Sequence, residues 1–141
     1  RSVSASLLNR SSDLEILYNY GAELHYSEHY EEGLQIMKEC SLKNNDYDVQ
    51  MIMGDCYKHI GDTLKAMECF DCAGRMVPSK FLPQYNRMHL FVDRGDTVNA
   101  LNTANEILSK DVKVYRSKRV QRIISDAEEV INKLTESATA E

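Results

Sequence analysis

The sequence predicts an all-α fold, a right-handed superhelix of three helix hairpins closed by one further helix. Three observations predict it. One pattern of small, apolar and turn residues occurs three times, at steps of 33 and 34 residues. Only two prolines and six glycines interrupt 141 residues, so helices of ordinary length can form. Near the end, Val120, Ile123, Ile124, Ala127, Val130, Ile131 and Leu134 follow helical spacing. With 43% hydrophobic residues, the chain can bury a core of one domain.

The elements follow in order. Residues 1–12 are small and polar and read as a flexible lead. Ser12 and Glu15 make a capping box, which starts the first hairpin (13–45) with helices over 13–27 and 29–41. The second hairpin (47–78) has helices over 47–60 and 63–76. Gly61 ends its first helix, Asp62 caps its second, and Pro78 stops the chain from continuing helically. The third hairpin (80–110) spans 80–94 and 97–109, with Pro83 tolerated in a first turn. A capping helix over 117–135 covers its open core, which completes a domain over 13–135. Residues 136–141 form a polar tail.

The second hairpin carries the pattern in full: Met53-Gly54-Asp55-Cys56-Tyr57, Gly61-Asp62, Ala66, Phe70, Ala73 and Pro78. Gly54 and Ala66 are small where two helices approach closely, and Met53, Tyr57, Phe70 and Ala73 fill the space between helices. A step of 33 back reaches Gly21, Leu24, Gly33, Met37 and Cys40. A step of 34 forward reaches Phe91, Gly95-Asp96, Ala100, Ala104 and Ile107. The outer copies are degenerate: Met88 stands at the place of Gly54, and Glu28 at the place of Gly61. Residues and period together resemble the tetratricopeptide (TPR) repeat. That resemblance implies a binding scaffold rather than an enzyme.

Composition and motifs exclude several functions. A net charge of −5 argues against a nucleic-acid partner. No apolar run is long enough to span a bilayer. Cys40, Cys56, Cys69 and Cys72 have no zinc-site spacing, and the one C-x-x-C lies inside a helix, so they read as small core residues. No metal or cofactor is expected. His25, His59 and His89 fall on three hairpins, and no H-E-x-x-H, phosphate loop or G-x-S-x-G is present, so no catalytic residue is assigned.

In TPR stacks the first helix of each hairpin lines a concave groove. The candidates there are Tyr18, His25, Tyr26, Met51, Asp55, Lys58, His59, Tyr85, His89 and Asp93. Tyrosines and histidines stack on flat groups and still hydrogen-bond, which suits a peptide or a sugar. Equally, such residues sit on helix faces with no ligand. With Ala22, Asp55 and Asp93 beside a single lysine, the groove lacks the Lys, Asn and Arg clamp of co-chaperones that grip carboxylates. A basic patch of Lys110, Lys113, Arg116, Lys118, Arg119 and Arg122 either faces an anionic membrane surface or glycan, or solvates a loop.

Residues 47–131 carry a more specific likeness. Ala73-Gly74-Arg75-Met76-Val77-Pro78-Ser79-Lys80-Phe81-Leu82-Pro83-Gln84-Tyr85 is followed by Gly95-Asp96, Ala100, Ala104, Ile107-Leu108-Ser109-Lys110, Val112-Lys113-Val114 and Ser117. This is similar to the soluble C-terminal TPR tails of O-antigen ligase or polymerase-like membrane proteins of Bacteroides-type bacteria. It departs from them at Lys80 and at Tyr115-Arg116. The resemblance implies a non-catalytic periplasmic tail, cut from a polysaccharide-assembly protein of the cell envelope, that recruits a protein or steers glycan. Arg1 at the start fits a piece of a longer chain. The alternatives are a free-standing, cytoplasmic TPR adaptor that binds a peptide in its groove, and a purely structural oligomerisation module.

Overall fold

A computed structural model describes residues 2–111 and 117–140, with side chains described from residue 12 onward. Among the described residues there are seven α-helices and no strand: α1 (Ser2–Tyr26), α2 (Tyr30–Lys43), α3 (Tyr47–Ile60), α4 (Thr63–Met76), α5 (Leu82–Asp93), α6 (Thr97–Ser109) and α7 (Lys118–Thr139). They group into two units, Arg1–Ala73 and Gly74–Glu141.

The three hairpin turns are built alike, which is why the repeat is legible. Glu28, Gly61 and Gly95 each take positive φ, at 63°, 96° and 71°. The next residue returns a backbone bond to the last turn of the preceding helix: His29 N–H to Leu24, Asp62 N–H to Tyr57, and Asp96 N–H to Phe91. This is the Schellman closure that a left-handed residue permits. Glu28 adopts it at a steric cost of roughly 1–2 kcal/mol that glycine avoids.

The turns differ in their caps. Asp62 accepts from Lys65 N–H, and Asp96 accepts from Asn99 N–H. His29, at the same place before α2, makes no side-chain cap. The helix dipole favours an acid there, although Glu31 and Glu32 already occupy the first turn. His29→Asp is expected to stabilise unit 1 by about 0.5–1 kcal/mol, read as a raised thermal midpoint.

Unit 1 packs α1, α2, α3 and α4 through small residues. A Cβ on Gly54 would lie 2.6 Å from Cε1 of Phe70, whose side chain is fully buried. A Cβ on Gly21 would lie 2.9 Å from Ile36 and Met37. Cys40, Cys56 and Cys69 are buried within this core and Cys72 is half-buried; all four are free thiols. Burial pushes Cys56 and Cys69 up to about 11, so both stay protonated at neutral pH.

Unit 2 closes on a cluster of Phe81, Met88, Ala104, Ile107, Ile123 and Ala127. The α7 helix supplies the last two, and Val120, Ile124, Val130 and Ile131 flank them. Ser117 caps α7 by accepting from Val120 N–H.

Two expectations change. α1 does not begin at a capping box: Ser12 and Glu15 lie inside a helix that starts at Ser2, because nothing from 2 to 11 is glycine or proline. At the other end, α7 runs on to Thr139, through residues expected to be a tail.

Candidate functional site

Six residues converge in unit 1, at the C-terminal ends of α1 and α3 and the start of α2. Asp55 is their hub. His25 donates from Nε2 to its carboxylate at 2.6 Å, and the Lys58 ammonium stands 3.8 Å away. His59 donates from Nδ1 to the Asp55 carbonyl at 2.8 Å. That fixes the proton on Nδ1 of His59, since a carbonyl only accepts. Tyr30 lies flat on the His59 ring, with centroids 4.1 Å apart and planes 9° apart. His25 meets Tyr26 and Tyr30 edge-on at 5.2 and 5.9 Å. Its Nδ1 is buried with no hydrogen-bond partner among the described residues.

The result is an aromatic shelf with polar fittings. Tyr26 is 75% exposed, and His59 and Lys58 are also exposed, so the shelf faces solvent. Asp55 is already occupied by His25, so it positions the rings rather than offering a free carboxylate. The Tyr30–His59 stack also walls an open cavity with Glu28, Glu31, Glu32 and Ile60. A second cavity lies by the middle of α1, the end of α2 and the start of α3, lined by Leu14, Tyr18, Cys40 and Val49. Met51 is half-buried on α3 and joins neither group.

In unit 2, the Tyr85 hydroxyl donates to Asp126 of α7 at 2.7 Å. Burial and this bond both push the Tyr85 hydroxyl above its usual value. His89 meets Tyr85 edge-on at 4.5 Å, and its Nε2 is buried without a partner among the described residues. Asp93 is exposed at the end of α5 and takes no part.

Four of the six residues of the expected basic patch lie among the described residues. Lys110 turns back to donate to the Pro78 carbonyl at 2.6 Å and lies over the Phe81 ring, where burial lowers its pKa. Lys118, Arg119 and Arg122 are exposed on α7, while Lys113 and Arg116 lie outside the described residues.

Two members escaped the sequence reading. Tyr30 opens α2, and counting groove residues on first helices alone passes over it. Asp126 flanks the apolar stripe of α7, which read only as a cover. The signal for Tyr30 was its place beside a turn crowded with Tyr26, His25 and His29. Among the described residues, no three His, Cys, Asp or Glu side chains are placed to share a metal ion.

No family model matches the chain, and no curated protein matches its sequence. Its fold, however, is shared with solved structures. The type III secretion chaperone SycD of Yersinia enterocolitica, in complex with a peptide of the translocator YopD, superposes with a TM-score of 0.79 at 12% identity, over 90% of this chain and 95% of that one. PcrH, a Pseudomonas aeruginosa protein, in complex with the chaperone-binding region of PopD, gives 0.75 at 13% identity, over 91% and 95%. A type III secretion complex from Aeromonas hydrophila gives 0.79 at 14% identity, over 96% and 91%. The chain thus has the all-helical, TPR-like fold of these structures. None of its described helices is long and apolar enough to cross a membrane.

Proposed function

We propose that this chain is a non-catalytic, peptide-holding adaptor that keeps a segment of a client protein on the helix faces of its hairpins. The observation that carries the reading is the shelf of Tyr26, Tyr30, His59 and Lys58, oriented by Asp55, in a fold whose neighbours SycD and PcrH were crystallised with a peptide of the translocator YopD and the chaperone-binding region of PopD. Flat rings at the surface supply contact area at little conformational cost, and the histidine and lysine edges add hydrogen bonds to a peptide backbone.

The likeness to O-antigen ligase tails rests on sequence motifs alone, and no family model or curated relative supports it. The peptide-adaptor reading has the better support. Its test is selection of peptides from a random display library on the folded chain. Tyr26→Ala with His59→Ala, both at exposed positions, is expected to weaken the selected peptides about tenfold or more, with the helical circular dichroism unchanged. Peptides held equally by the double variant would remove the shelf from the reading. Tyr85→Ala is the poorer variant, because Tyr85 also packs on the unit 2 core.

A further inference from the structure

The second cavity of unit 1 has a chemistry that narrows the client. It is open, measures about 240 Å³, and sits between the start of α3, the end of α2 and the middle of α1. Its apolar lining comes from Leu14, Tyr18, Cys40 and Val49. A space this size falls below the roughly 300–1,000 Å³ of small-molecule sites, and it suits a single side chain.

The surroundings are acidic. Glu15 and Asp46 line the opening. Asp48 follows in the first turn of α3, at the same end of that helix as Asp46; burial, then the fields of Asp48 and Asp46, push the Tyr18 hydroxyl above its usual value. Glu39 acts on Cys40 from the α2 side, where Lys43 is the opposing base. Asp46 is spent in part on capping α3 through Val49 N–H and on holding Asn44. Glu15, Asp48 and Glu39 have no hydrogen bond or ion pair among the described residues. Residues 1–73 as a whole hold thirteen acidic against six basic residues, so the field of the unit has the same sign as that of the rim.

We propose that this cavity is a socket for one apolar side chain of the client segment, and that the socket selects segments in which that side chain is flanked by lysine or arginine. The inference rests on the peptide-adaptor reading and sharpens it. Apolar burial in the socket supplies affinity, and the unpaired carboxylates supply selection by charge.

The experiment uses fluorescein-labelled peptides of one length, read by polarisation at low salt. The first has a central leucine flanked by lysines, the second the same leucine flanked by glutamates, and the third serine in place of leucine with the lysines kept. The lysine–leucine peptide is expected to bind about tenfold tighter than either of the others. Glu15→Gln with Asp48→Asn, which leaves the Asp46 cap intact, is expected to bring the lysine and glutamate peptides within about threefold of each other. Tyr18→Ala is expected to weaken all peptides that carry leucine. Equal binding of lysine and glutamate peptides, or a charge preference that survives the double variant, overturns the proposal. If display-selected peptides still lose affinity on Tyr26→Ala with His59→Ala, the adaptor reading stands after that failure. No binding by any peptide sinks both.

Discussion

Phe70→Ala is expected to destabilise unit 1 by about 3–5 kcal/mol, the range for truncating a fully buried phenylalanine. Phe70 has no exposed surface, and its ring fills the space that a side chain at Gly54 would need. The loss has two parts: apolar area returned to water, and a cavity that α3 and α4 cannot fully close. Urea unfolding followed by circular dichroism reads it as a lower midpoint with little change in slope. The pair also makes a sharper prediction. Gly54→Ala alone sets a methyl 2.6 Å from the ring, so overpacking of about 1–3 kcal/mol outweighs the gain of roughly 1 kcal/mol in helix propensity. In the Phe70→Ala background the methyl has room, and the same substitution becomes neutral or stabilising. A double-mutant cycle is therefore expected to show coupling well above the few tenths seen for independent sites. Simple additivity would mean that the close approach of α3 and α4 is not what makes position 54 a glycine.

What the sequence could and could not foretell follows from the range of the forces involved. Turns and close approaches are local demands, and they leave marks in residue type. Gly61 and Gly95 are glycines because the chain turns there with positive φ, and Glu28 was found at the third such turn by its spacing from them. Gly54 is small because Phe70 lies over it. α3, α4 and α6 span the expected residues for the same reason, since Asp46, Asp62 and Asp96 cap them. The start of α1 was misread because Ser12 and Glu15 satisfy a local rule that a preceding helix simply runs through. The site was only half legible. Counting along first helices gave His25, Asp55 and His59, yet the stack of Tyr30 on His59 and the bond from Tyr85 to Asp126 join residues 29 and 41 positions apart. Such pairings depend on the register between helices, and no single residue type announces that register.

The second large effect is expected at α7. Ile123→Ala should destabilise unit 2 by about 2–5 kcal/mol, because Ile123 is only 4% exposed within the cluster of Phe81, Met88, Ala104, Ile107 and Ala127. The value is large because α7 is no loose appendage. It supplies a face without which Met88 and Ile107, both fully buried, would meet water. The opposite face of the helix offers the control. Lys133 and Glu129 pair at 2.6 Å on the exposed side, and both side chains are more than half exposed. Solvent screens such a pair, so Glu129→Gln should leave the unfolding midpoint nearly where it was. Near-ultraviolet circular dichroism from Tyr85, which is bonded to Asp126 of α7, reports the same event from within the unit. If Ile123→Ala left that signal and the midpoint unchanged, α7 would be an ornament on a core already closed by α5 and α6. The burial of Ile123 and Ala127 against Met88 and Ile107 argues that the core is completed only when α7 docks.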